Sequence, residues 1–209
     1  MLIKNPKAER QEFEQKAPEY IDFLEKNGNK IPNINALLTK LKKDPSIEHI
    51  VHADFVKRFV EDGRFQITGV EISTGIHDID IQLDNSISIQ VWHGASTHNH
   101  NIERGKIDPK GGVQMDLQND VRAIQKKLNQ LPDDSFGLLI CYNRNMGLDI
   151  FPTDEFFTLI NNMPKNKALA VVSYNGHNHQ SSLYHQSEFD YLSKAKDVLD
   201  ALRFHLISS

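Results

Sequence analysis

The sequence predicts an α/β protein whose mixed central sheet is flanked by helices, and three observations support this. Residues 64–73 are rich in strand-forming side chains, residues 77–83 and 86–92 alternate between apolar and polar side chains, and two turn signals separate the three segments, which is typical of a three-strand antiparallel meander. Two later runs, 136–142 and 168–174, are largely apolar, as expected of two further strands buried on both faces. The segments around these strands have the apolar period of helices, and helices in such an order cover a sheet.

Residues 1–45 are predicted to form an N-terminal helical extension to an α/β core of residues 46–209, within one domain. Residues 8–27 have a broadly helical apolar pattern that Pro18 interrupts. Asn33 opens a second predicted helix. Its apolar stripe consists of Ile34, Leu37, Leu38 and Leu41. Residues 47–61 fit a helical period and, in part, a strand alternation, so the sequence leaves both open.

The alternation in the meander separates the two faces of the predicted sheet. Turns at Ser73-Thr74-Gly75 and Asp84-Asn85 end the first and second strands. The second strand places Ile79, Ile81 and Leu83 on one face and Asp78, Asp80 and Gln82 on the other. The third strand alternates through Ile87, Ile89 and Val91.

The second half of the chain alternates helices and strands. Residues 94–114 are polar and glycine-rich, which predicts a functional or mobile loop. Helices are predicted over 115–131 and from Thr153 through Met163. Residues 175–187 are polar and carry histidines, and Ser187 is the predicted cap of a closing helix that extends to Leu206.

Composition excludes several classes of protein. The chain has 209 residues, and no apolar run approaches the roughly 20 residues of a membrane span. The N-terminal residues contain no apolar signal region, so we expect a cytoplasmic protein without a membrane partner. The single cysteine, Cys141, lies in an apolar run and is expected to be a buried thiol. The net charge of −4 is not that of a strongly basic nucleic-acid binder.

Two polar side chains on neighbouring strands of the meander are candidate metal ligands. Asp80 lies on the polar side of the second strand, and Gln90 lies on the third strand beyond a tight turn. A carboxylate and a second oxygen ligand on adjacent strands suit a hard divalent cation such as Mg²⁺ or Mn²⁺. Such an ion could orient water for attack on a phosphodiester. Polar residues on a solvent-exposed sheet face give the same pattern without any metal.

The stretch GIHDIDIQLDNSISIQVWHGAS resembles the PD-(D/E)XK nuclease superfamily, the restriction-endonuclease-like fold, over residues 64–142. The resemblance implies a metal-dependent nuclease acting on DNA or RNA. It assigns Asp80 and Gln90 as catalytic metal ligands, the backbone carbonyl of Val91 as a further ligand and Asp78 as auxiliary. A homodimer would suit an enzyme that cuts two strands.

The chain departs from the family pattern at Trp92, where the family has its catalytic lysine. Tryptophan can neither polarise a phosphate nor activate water, so a lysine from elsewhere would have to substitute. The candidates are Lys57, Lys106 and Lys110. The alternative is a catalytically silent nuclease-fold domain that binds DNA, RNA or a protein partner.

Two His-x-His pairs suggest a third, different class of function. His98 with His100 and His177 with His179 have the spacing that lets two imidazoles share a face in an extended chain, which suits Zn²⁺. Both pairs lie in polar segments where solvated surface histidines are also expected. A histidine-based metalloprotein of another class therefore stands as an alternative, with Zn²⁺ less favoured than Mg²⁺ or Mn²⁺.

Overall fold

The structure is a computed structural model that describes residues 6–73, 75, 78–93, 121–143, 154–173 and 180–206. Its helices are α1 (Pro6–Asn27), α2 (Ile34–Lys43), α3 (Ile47–Asp62), α4 (121–128), α5 (Asp154–Asn161) and α6 (Leu192–Ala201). Its strands are β1 (Ile67–Ser73), β2 (Asp78–Leu83), β3 (Ile87–His93), β4 (Phe136–Asn143), β5 (Lys167–Ser173), β6 (Gln180–His185) and β7 (His205–Leu206). The strands form a mixed sheet in chain order, flanked by helices, so the predicted α/β class is confirmed. The chain divides into two compact units, Met1–Ile89 (unit 1) and Gln90–Ser209 (unit 2).

Local capping decides that residues 47–61, which the sequence left open, are helical. The Ser46 side chain accepts a hydrogen bond from the backbone N–H of His49, which satisfies one of the free donors at the start of α3. Gly63 ends the helix in the left-handed region at φ 75°, and its N–H bonds to the carbonyl of Phe59. Phe55 and Phe59 are buried in unit 1, so the apolar period of this segment is the helical one.

The predicted meander is confirmed. Strands β1, β2 and β3 pair antiparallel, with Ile81 opposite Val70 on one side and Ile89 on the other. Asp84 and Asn85 both have positive φ, 51° and 55°, and the N–H of Ser86 bonds to the carbonyl of Leu83 at 3.0 Å, the geometry of a tight turn that matches the strand twist. The Asp84 carboxylate also accepts a hydrogen bond from the N–H of Gln66 at 2.8 Å, which fixes the end of the hairpin to β1.

Unit 2 is built around the two predicted apolar strands, β4 and β5, which pair in parallel. Its core contains side chains from α4, β4, α5 and β5. They include Ile124, Leu128, Leu139, Cys141, Phe156, Leu159 and Leu169. Cys141 is buried, as predicted, and Trp92 packs against this core as a partly buried side chain.

Within the described residues the sheet has seven strands where the sequence predicted five, because β6 and β7 follow weak signals. Strand β6 lies in the segment interpreted as a polar connection, and it pairs antiparallel with β5 and parallel with β7. The closing helix is shorter than predicted, since α6 ends near Leu202. There Arg203 turns left-handed at φ 59°, and the N–H of Phe204 bonds to the carbonyl of Leu199 at 2.9 Å. This cap ends the helix before the residues that form β7.

Several predictions concern residues outside the described ranges. They are the loop 94–114, both His-x-His pairs, Thr153, Lys106 and Lys110. Among the helices that the structure does describe, none combines the length and apolar character needed to cross a bilayer.

Candidate metal centre

Three side chains with metal-binding chemistry meet within unit 1. His52 comes from α3, Glu71 from β1 and Asp80 from β2. One ligand atom from each lies within 4.8 Å of the other two. An imidazole and two carboxylates from three different elements therefore converge on one point.

The helical period of α3 places the imidazole inside the protein. His52 shares the stripe of Phe55, Val56 and Phe59, at spacings of three, four and seven residues. Its side chain is 1% exposed, as deep as the phenylalanines beside it. A buried polar side chain needs partners, and those of His52 are carboxylates.

Glu71 is held in an unusual backbone conformation. Its φ is 52°, a left-handed value inside a strand, while its neighbours Val70 and Ile72 keep regular pairing with β2. Such a conformation costs a non-glycine residue about 1–3 kcal/mol and persists only where the surroundings enforce it. Close by in β1, the side chain of Ile72 occupies the space beside Gly69, where a Cβ would lie 2.2 Å from Cδ1 of Ile72. The strain is concentrated at the residue that contacts His52.

The contacts form a line of alternating charge. The Lys40 ammonium, from α2, donates to Oε2 of Glu71. Oε1 of Glu71 is 2.8 Å from Nδ1 of His52, and Nε2 of His52 is 3.6 Å from Oδ2 of Asp80. The Glu71 and Asp80 side chains are 8% and 13% exposed, whereas Lys40 is 50% exposed. The ammonium is thus the part of this line that solvent reaches most easily.

The charges of this line set the protonation of its members. Burial acts to lower the pKa of His52, but the charge of Asp80 and the hydrogen bond with Glu71 outweigh it and raise that pKa. Burial acts to raise the pKa of Glu71, but His52 and Lys40 outweigh it and lower that pKa to about 2. Without a metal, the raised pKa of His52 and the lowered pKa of Glu71 both favour the charged pair that these two side chains form.

The spacing of the donors fits a divalent cation. Two ligands each roughly 2.1 Å from one ion lie roughly 3.0–3.6 Å apart for angles of about 90–120°. The separation of His52 Nε2 from Asp80 Oδ2, 3.6 Å, is at the upper end of that range and longer than a good hydrogen bond. A mixed imidazole and carboxylate set suits Mn²⁺, Fe²⁺ or Zn²⁺ better than Mg²⁺, which prefers oxygen ligands alone.

The structure describes the residues that the sequence singled out to different extents. Asp80 belongs to the group, whereas Asp78 opens β2 and its side chain is not among those described. Gln90 and Val91 are buried residues of β3 and belong to unit 2. Lys57, one candidate for the missing lysine, is engaged with Glu19 of α1.

Sequence reasoning missed His52, Glu71 and Lys40. For His52 a signal was present, because it is a polar residue at a core position of an otherwise apolar helical stripe. For Glu71 no local pattern predicts the left-handed backbone. Lys40 looks like an ordinary basic residue at the end of a helix, where it favours the helix dipole.

No family model, curated protein or solved structure matches the chain.

Proposed function

We propose that the protein is a metal-dependent phosphodiesterase acting on nucleic acid, with its centre at His52 and Asp80. One observation carries the proposal. Asp80, which the resemblance assigns as a metal ligand, lies in one group with two other metal-binding side chains from separate elements. The order of helix, three strands, helix and strand from α3 to β4 agrees with the same assignment.

Each residue of the group has a distinct part in this function. A divalent ion, when bound, polarises a phosphate oxygen and makes a water more acidic. Asp80 and His52 would hold that ion in a largely buried setting, where charges interact strongly. Lys40, half exposed beside them, places an ammonium where an anionic phosphate approaches from solvent. The imidazole ligand makes Mn²⁺ the first metal to try, ahead of Mg²⁺.

A second candidate function is a catalytically silent domain that binds DNA, RNA or a protein partner. The observation that favours it is the packing of Trp92 against the apolar core of unit 2. At the strand position where the family has a lysine, this chain uses its side chain for packing. Without a lysine at that position, cleavage requires a cation from another element. The domain is silent if Lys40 cannot take that part.

Cleavage assays with two matched variants distinguish these functions. The protein is stripped of metal and incubated with single- and double-stranded DNA and RNA in Mn²⁺ or Mg²⁺. Asp80→Asn should abolish cleavage, because it removes the charge of a metal ligand. Asp22→Asn, the same change at an exposed residue of α1, should leave cleavage intact. Equal cleavage by wild type and Asp80→Asn would refute the site. Metal and nucleic-acid binding without cleavage would favour the silent domain.

A further inference from the structure

Glu71 and Asp80 approach the imidazole of His52 at different distances. Lys40 donates to Oε2 of Glu71, and Oε1 is 2.8 Å from Nδ1 of His52. Both oxygens of Glu71 therefore have close partners within unit 1. The closest approach between Asp80 and His52 is looser, at 3.6 Å. The two carboxylates flank the same imidazole, but only one of them is within hydrogen-bond distance of it.

This asymmetry distinguishes the two nitrogens of the ring. A neutral imidazole carries its hydrogen on one nitrogen and a lone pair on the other, and a hydrogen bond to one nitrogen selects which. The short contact at Nδ1 favours a hydrogen there, donated to Glu71. The lone pair is then on Nε2, which faces Asp80.

We propose that Glu71 is a positioning residue and not a metal ligand, and that the metal is held by Nε2 of His52 and by Asp80. This inference rests on the proposed metal centre. Glu71 fixes the ring orientation and the hydrogen of Nδ1, and Lys40 fixes Glu71. A carboxylate behind a ligating histidine raises the basicity of the ligand and sharpens its orientation. The residue with the left-handed backbone, Glu71, is also the one whose carboxylate contacts the ring of His52.

The ligand assignment predicts a graded loss of metal affinity. Glu71→Gln keeps an oxygen that can accept from Nδ1, so Mn²⁺ and Zn²⁺ affinity measured by calorimetry should fall about tenfold, as for other partners behind a metal ligand. Asp80→Asn should reduce binding beyond detection. Glu25→Gln is the matched control, since Glu25 also pairs with a lysine of α2 but is 48% exposed. Its affinity should equal that of the wild type.

Nitrogen NMR of the zinc-loaded protein shows which ring nitrogen of His52 carries a hydrogen and which binds zinc. Long-range ¹H–¹⁵N spectra should show a hydrogen on Nδ1 of His52 and zinc on Nε2, with the His52 signals assigned through His52→Gln. Zinc on Nδ1, or Glu71→Gln binding as weakly as Asp80→Asn, would overturn the ligand assignment and leave the proposed function standing. An unchanged affinity in Glu71→Gln would overturn the positioning role. A wild type that binds neither metal would overturn the ligand assignment and the proposed function together.

Discussion

Replacing Glu71 with glutamine should remove much of the acid dependence of folding in the metal-free protein. The pKa of Glu71 is lowered from 4.5 to about 2, because the favourable effects of His52 and Lys40 outweigh burial. A depressed carboxyl pKa stabilises the fold fully above the unfolded value and loses that contribution as pH falls through the folded one. The relevant window is therefore between 4.5 and about 2.

The magnitude follows from the same shift. At roughly 1.36 kcal/mol per pH unit, the fall from 4.5 to about 2 corresponds to about 3 kcal/mol of unfolding free energy. The Lys40 side chain is 50% exposed, so solvent screens its ion pair with Glu71. We therefore expect a measured loss of about 2–3 kcal/mol in the free energy of unfolding. At pH 5.5 Glu71→Gln should be less stable than the wild type by this amount. At pH 2.5 the difference should shrink to about 1 kcal/mol or less.

Urea unfolding followed by helical circular dichroism, with a chelator present, tests this prediction at pH 5.5, 4.0, 3.0 and 2.5. Glu25→Gln, at an exposed ion pair, should follow the wild type at every pH. The raised pKa of His52 affects stability in the opposite pH direction. Its contribution to the free energy of unfolding is full below pH 6.5 and is lost as pH rises through the folded pKa, so the comparison stays below pH 6.5. A difference between wild type and Glu71→Gln that stays constant from pH 5.5 to 2.5 would show that the lowered pKa of Glu71 does not stabilise the fold.

Three further substitutions test contacts inside unit 1 or inside unit 2 by urea unfolding. Tyr20→Phe removes the hydroxyl that donates to Asp54 at 3.0 Å and should cost about 1 kcal/mol. Gly69→Ala places a Cβ 2.2 Å from Cδ1 of Ile72 and should cost about 1–3 kcal/mol; a neutral result would mean that the Ile72 side chain moves aside without loss of packing. Trp92→Lys withdraws an aromatic side chain from the core of unit 2 and should cost about 1–3 kcal/mol. The substitution should also leave any cleavage rate unchanged. A gain of cleavage would show that the site uses a lysine at position 92 of β3.

The sequence predicted the parts of the fold where local pattern and burial agree. Strand alternation placed Ile79, Ile81 and Leu83 on one face of β2, and all three are buried. Largely apolar runs predicted β4 and β5. Strand β6 escaped prediction because most of its residues are polar and most are only partly buried, and its pairing with β5 is a long-range contact.

The candidate site was predicted only in part, because contacts between different elements leave no local pattern in the sequence. Asp80 has a local signal, since it lies on the polar side of an alternating strand. Its partners reach it from α3 and β1, through packing that joins residues far apart in the chain. The distorted backbone at Glu71 depends on tertiary contacts, so no turn motif in the sequence marks it.

Calorimetric titration of Mn²⁺ and Mg²⁺ into the metal-free protein, with nucleic acid absent, tests whether a divalent ion binds at His52 and Asp80. The wild type should bind Mn²⁺ at one site and more tightly than Mg²⁺, because an imidazole is among the ligands. Asp80→Asn and His52→Gln should each lose that site, and Asp22→Asn should retain it. Wild-type binding that survives both ligand substitutions, or no binding by the wild type at all, would contradict a metal centre at His52 and Asp80.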